Sequence, residues 1–243
     1  MKYIDINCDL GEGGEYDKEL MPLISSCNIA CGGHYGNKES VHKAVSLAKK
    51  HKVHIGAHPS YPDQTNFGRT SVALPREELK TSLHQQIDLV EMTCQDLKGD
   101  LHHIKPHGAL YNDMRKNQAI ADLMLEVVEE RNQNIILFVP PKLEFSSEIP
   151  NSITLWTEGF ADRAYNSDLS LVSRVEKDAV LSDPIQISNR VLKMVEDQKV
   201  RTISGETISQ KFNTICVHSD TQNSVQILKS LKNHLVQHGI KVK

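Results

Sequence analysis

Short apolar or β-branched runs alternate with longer stretches in which apolar residues return every three or four positions, as strands alternating with amphipathic helices would. The runs Tyr3 to Asp9, Ser25 to Ala30, Val53 to His58, His102 to Pro106, Ile135 to Val139, Ile153 to Trp156 and Thr214 to Val217 predict seven strands. Val41, Ala44, Val45 and Ala48 mark one helix face, and Leu79, Leu83, Ile87, Val90, Cys94 and Leu97 mark a longer one behind Pro75. Further stripes run through Ile120, Leu123, Met124, Val127 and Val128, through Ile185, Ser188, Val191, Leu192 and Val195 behind Asp183-Pro184, and through Val225, Leu228, Leu231 and Leu235. This order implies an α/β fold with a parallel sheet and helices outside it. Seven strands predict an incomplete or distorted (β/α) barrel, with a doubly wound open sheet as the alternative. No linker, low-complexity tract or repeat breaks the pattern, so residues 1–243 read as one domain. Pro59 to Leu74 is a long irregular connection of the kind that often forms a lid, and the first half of Glu158 to Asp183 carries no helical stripe.

Polar residues collect where the strands end. The first ends Asn7-Cys8-Asp9-Leu10-Gly11-Glu12, the second runs Asn28 to His34, the third ends Ala57-His58-Pro59 and the fourth His103-Ile104-Lys105-Pro106-His107. The sixth leads into Phe160-Ala161-Asp162-Arg163, and the last ends His218-Ser219-Asp220. Parallel α/β folds place their sites at these carboxyl ends. Residues two apart share a face, which pairs Asn7 with Asp9, His54 with His58, Lys105 with His107 and His218 with Asp220. Such a mouth suits general acid–base chemistry. His34, His58, His107 and His218 are its candidate histidines. Lys105 is the sharpest signal, because a lysine on a buried strand demands an anionic partner. His54 reads as a packed core residue, and His102 and His103 as structural.

Composition narrows the chemistry. Lys and Arg total 28 against 31 Asp and Glu, a net charge of −3 without basic blocks, which argues against nucleic-acid or membrane-surface partners. No apolar run approaches the roughly 20 residues of a membrane span, and the N-terminus lacks the features of a secretory signal, so the expected location is the cytoplasm. Five cysteines without a C-x-x-C pair read as buried thiols. There is no G-x-G-x-x-G, P-loop, H-E-x-x-H or G-x-S-x-G motif. Gly11-Glu12-Gly13-Gly14 reads as a tight turn. A metal held by aspartate and histidines from different strands is open at this level.

Six blocks taken together are specific: Asp5 to Gly13, Asn28 to His34, Ile55 to Pro59 with Tyr61-Pro62-Asp63, Lys105 to Asn112, Phe160 to Arg163 and Thr214 to His218. In these the chain resembles the LamB/YcsF family from about residue 3 to residue 235. The resemblance implies a distorted seven-stranded parallel (β/α) barrel similar to glycoside hydrolase and deacetylase barrels. It implies ATP-dependent opening of the lactam 5-oxoproline to L-glutamate, with magnesium accompanying the ATP and two further 5-oxoprolinase subunits as partners. Carried over block by block, its site residues are Asp9, His34, His58, Lys105, His107, Asp162, Arg163 and His218. The roles expected of them are water activation by Asp9 or His58, anion binding by Lys105 and Arg163, and proton relay by His107. With no P-loop, nucleotide binds either a nonstandard pocket here or a partner subunit. The chain departs from the family in having Gly33 for a usual phenylalanine, Ser60 for a usual glycine, Ser219 to Asn223 for a Gly-Asp-Thr-Pro-Gly-like run, and Val139-Pro140-Pro141-Lys142 for a small-residue turn. A metal-dependent amidohydrolase or deacetylase acting alone, and a non-catalytic ligand-binding subunit, are the competing readings.

Overall fold

The computed structural model describes residues 2–131 and 134–243. In chain order the elements are β1 (Lys2–Leu10), α1 (Asp17–Leu20), a 3-10 turn (Met21–Leu23), β2 (Ser26–Ala30), α2 (Lys38–His51), β3 (His54–His58), α3 (Arg76–Asp96) and β4 (Leu101–Ile104). There follow α4 (Gly108–Lys116), α5 (Gln118–Glu129), β5 (Ile135–Val139), β6 (Ile153–Phe160), α6 (Pro184–Glu196), β7 (Lys199–Arg201), β8 (Thr207–Ser209), β9 (Thr214–Cys216), α7 (Ser224–Gln237) and β10 (Ile240–Val242).

Seven parallel strands close on themselves in the order β1-β2-β3-β4-β5-β6-β9 and back to β1. The expected barrel is therefore closed, not an open sheet. β10 adds a parallel pairing to the start of β1, and β7 and β8 form a separate antiparallel hairpin. No helix among the described residues is long and apolar enough to cross a membrane.

Alternation along the strands makes two unlike interiors. Ile6, Cys8, Leu10, Cys27, Ile29, Ile55, Ala57, Ile104, Leu137 and Ile215 face outward beneath the helices and form the apolar core with Val41, Leu83, Ile87, Val127 and Leu228. The lumen is polar. Asp5, Asn7, Asp9, Ser26, Asn28, His103, Lys105, Glu158 and Thr214 are all buried. A buried polar group without a partner costs about 1–3 kcal/mol, so the lumen is tied together by hydrogen bonds. Asn7 Nδ2 donates to Glu158 Oε1 at 2.9 Å and Thr214 Oγ1 at 2.7 Å, and Ser26 Oγ donates to Asp5 Oδ1 at 2.6 Å. Asn28 Nδ2 donates to Asn7 Oδ1 at 2.8 Å and Asp9 Oδ1 at 2.7 Å, while its Oδ1 meets His103 Nε2 at 2.8 Å. Gly56 makes room for this ring, since a Cβ there would lie 2.1 Å from His103 Nε2.

Several expectations shift in detail. β6 runs on to Phe160, past the expected end at Trp156, because the polar Glu158 points into the lumen and Gly159 lies under Met194, Ile215 and Phe212. The buried face of α6 is Ile187, Ser188, Val191 and Met194, which leaves Ile185 69% exposed. His54 is exposed at the amino-terminal end of the barrel, stacked on His102 at 4.1 Å, and is not a core residue. All five cysteines are buried free thiols.

Candidate functional site

At the carboxyl end of the lumen β1 delivers Asp9 and the residue after β4 is Lys105. The Lys105 ammonium is 2% exposed and lies 2.8 Å from Asp9 Oδ1, 3.1 Å from Glu158 Oε1, 3.2 Å from Cys216 Sγ and 3.4 Å from Asn7 Oδ1. Burial works against its charge, but Asp9, Cys216 and Glu158 outweigh burial and raise its pKa well above the usual lysine value. Asp9 is the reciprocal case: burial would raise it, yet the His58 ring and the Lys105 ammonium hold it well below the ordinary carboxylate range. Asp9 is thus a fixed anion at the base of the mouth. Its counter-ion is Lys105, whose donors all face groups of the chain itself.

Two loops and the end of β3 bring histidines over Asp9. Gly32 and Gly36, both at positive φ, turn the chain after β2 so that His34 faces inward. Its ring stacks on His107 at 3.7 Å, and its Nε2 lies 3.0 Å from Glu12 Oε1. Burial lowers its pKa to about 4. His58, at the end of β3, sets Nδ1 2.7 Å from the Lys105 carbonyl and Nε2 3.5 Å from Asp9 Oδ2. His107 sets Nε2 3.0 Å from the Phe67 carbonyl and Nδ1 2.9 Å from His58 Nε2. Burial, then the His58 and His34 rings, push its pKa down.

Glu12 completes the group from the turn after β1. Burial and the Asp9 charge raise its carboxyl to about 7. Glu12, His34, His58 and His107 each offer one ligand atom within 4.8 Å of the others, as do Asp9, Cys216 and His218.

Opposite stands a second dyad. His218 Nδ1 lies 3.0 and 3.1 Å from the two oxygens of Asp162, which also accepts from Thr221 Oγ1 at 2.5 Å and the His218 amide at 3.2 Å. Burial opposes the Asp162 charge, but His218 and these hydrogen bonds win and lower its pKa. An Nδ1–H bound to Asp162 makes Nε2 the basic atom of His218, and the ring is fixed by stacking on Phe160 at 5.1 Å. Arg163 donates to the Val172 carbonyl at 2.6 Å and has a buried Nε without a partner. Burial and then Arg174 lower its pKa, so an anion beside it is favoured.

These residues line one cleft of about 620 Å³, which also takes in Arg69, Arg115 and Arg174. Asp220 ties two of its walls together, at 2.8 Å from Arg69 and 3.2 Å from Arg174. Of the eight expected site residues, Asp9, His58, Lys105, His107, Arg163 and His218 line the cleft, while His34 and Asp162 touch it through their partners. Sequence reasoning passed over Glu12, Glu158 and Asn28 as site residues. A carboxylate among three glycines at a strand end, and a charge in an apolar strand, were the available signals for the first two. Gly33 and Ser60 pack against each other. A Cβ at Gly33 would sit 2.4 Å from Ser60 Oγ and 2.3 Å from Gln86 Oε1, so the two positions share one space.

Comparison with known proteins agrees with this architecture. The sequence profile described as the LamB/YcsF family matches residues 4–243. A protein of Haemophilus influenzae (strain PittEE), named as a 5-oxoprolinase subunit, is 38% identical over 243 residues, covering 100% of this chain and 99% of that protein. The crystal structure of a lactam utilization protein from Thermus thermophilus superimposes with a TM-score of 0.90 at 33% identity, covering 100% of this chain and 99% of that one. A polysaccharide deacetylase from Bacillus cereus, at 14% identity and a TM-score of 0.52 over 100% of this chain and 91% of the other, shares the barrel alone.

Proposed function

The chain belongs to the LamB/YcsF family, and from that premise we propose that it opens the lactam of 5-oxoproline to L-glutamate, coupled to ATP hydrolysis, as one subunit of a 5-oxoprolinase with two partner subunits. The observation that carries the reading is Asp9: an ionised carboxylate, fixed by Lys105 on the floor of a cleft whose walls present guanidinium groups. A small cyclic amide bearing one carboxylate matches that pairing of a fixed anion with cations.

A lactam carbonyl is a poor electrophile. Transfer of the γ-phosphoryl group of ATP to the carbonyl oxygen, with release of ADP, makes its carbon attackable by water. Asp9 orients that water, His218 Nε2 takes its proton and passes it to the ring nitrogen as the C–N bond breaks, and the resulting acyl phosphate is hydrolysed by a second water to glutamate and phosphate. Arg163 and Arg174 hold the substrate carboxylate or the transferred phosphoryl group. The cationic rim at Arg69 and Arg115 is the part of this chain suited to a magnesium-bound triphosphate, while the absence of a P-loop supports a partner subunit holding the nucleoside.

The test is 5-oxoproline-dependent ATP hydrolysis by the reconstituted subunits. Asp9→Asn is expected to lower kcat roughly 10²-fold, the cost of misplacing a reacting group, because it removes the charge that orients the water. Unchanged turnover would remove Asp9 from the chemistry, and ATP-independent amide hydrolysis by the chain alone would replace the proposal with a stand-alone amidohydrolase.

A further inference from the structure

We propose that Glu12, His58 and His107 form a binding site for a divalent first-row metal ion such as zinc, with His34 positioning the Glu12 carboxylate. The argument begins with two backbone carbonyls. A carbonyl only accepts, so the Lys105 oxygen at 2.7 Å requires a proton on His58 Nδ1, and the Phe67 oxygen at 3.0 Å requires one on His107 Nε2. In the neutral rings the lone pairs are then on His58 Nε2 and His107 Nδ1, and these two atoms face each other at 2.9 Å. Two acceptors at that separation repel unless a cation lies against both.

Glu12 Oε1 stands 3.5 Å from His107 Nδ1 and 3.9 Å from His58 Nε2. Ligands about 2.0–2.2 Å from a tetrahedral ion are roughly 3.3–3.6 Å apart, and the three observed separations bracket that edge length. A proton on His58 Nε2 would serve two of these atoms, whereas a divalent ion serves all three. Two imidazoles and one carboxylate, each imidazole fixed in tautomer by a carbonyl behind it, is the outer arrangement metal sites use. Nitrogen-rich donors favour zinc and its neighbours over magnesium, which separates this site from any ion that travels with a nucleotide. The Asp9 carboxylate, 3.5 Å from His58 Nε2, borders the side left open toward the cleft. The inference does not depend on the lactam reading, because binding is measured without turnover.

The chain, stripped with chelator and titrated with zinc, is expected to take up about one equivalent and to rise in Tm. Cobalt in its place should give the visible absorption of a low-coordinate ion. His58→Ala and His107→Ala should weaken zinc binding at least about 100-fold, and His34→Ala about 10- to 100-fold, the size of effects on residues that orient a ligand. Circular dichroism of the metal-free variants checks that each is folded. A wild-type chain that binds zinc no better than a folded His107→Ala variant overturns the proposal. So does a ¹⁵N-histidine spectrum in which a proton shared by His58 and His107 is unmoved by zinc, a result that leaves the lactam reading untouched.

Discussion

The barrel carries histidines at both ends, and the two groups behave differently. At the carboxyl end His34, His58 and His107 face carboxylates, with Glu12 3.0 Å from His34 and Asp9 3.5 Å from His58. At the amino end His54 stacks on His102, His102 Nδ1 lies 3.1 Å from His103 Nδ1, and His103 stacks on Phe138 at 4.3 Å and bonds Asn28. The metal-type groupings found among the described residues both lie at the carboxyl end. The lower histidines form a one-way chain of donors, from His102 through His103 to Asn28 and so to Asp9, whose polarity is complete without an added ion. Residue type is therefore a weak guide to role. What separates the groups is whether each lone pair has a donor.

Three changes sharpen this contrast. The largest effect is expected at Lys105, which both ends share through the lumen network. Lys105→Met leaves Asp9 and Glu158 buried without their counter-ion, and stability measured in urea should fall by about 3–5 kcal/mol, with activity lost. A variant as stable as the parent would show that the carboxylates are neutral, not paired. Next is His103→Ala, which empties the space against Gly56 and strands the Asn28 carbonyl oxygen. A loss of about 2–4 kcal/mol is expected, with the zinc stoichiometry of the upper group retained. Disappearance of zinc binding in that variant, once shown to be folded, would mean that the two ends are one functional unit.

The smallest effect concerns pH. Burial lowers His102 to about 4, and burial also lowers His103. Unfolded histidine binds its proton near pH 6.5, so between about 4 and 6.5 the unfolded chain carries protons that the folded chain refuses. The contribution of these residues to stability is present above that window and is lost as pH falls through it. His102→Gln should remove up to about one proton from the slope of unfolding free energy against pH over this range. A slope unchanged by the substitution would show that His102 is already charged in the folded protein.

Much of the fold was legible because the helix stripes and strand runs obey simple periods. Val41, Ala44, Val45 and Ala48 are all buried, and each of the seven expected strands has its place in the barrel. The errors fall where a polar residue belongs inside. Glu158 made β6 look shorter than it is, and the β1 turn hid Glu12, because a polar lumen inverts the usual reading of charge as surface. Candidate site residues were visible through their recurrence at strand ends. Their tautomers and partners were not, since these depend on carbonyls such as those of Phe67 and Lys105, which carry no signature in the side-chain sequence.

Asp220 holds Arg69 and Arg174 across the mouth, and it is a side chain of the protein itself. An anion arriving at those guanidinium groups does not meet naked charge. It displaces a resident carboxylate, so entry is an ion exchange in which one pairing is traded for another. Added salt weakens the resident pair and the incoming one together. Affinity should therefore vary little with ionic strength, and an Asp220→Asn chain should bind its anion more tightly at low salt while losing that indifference.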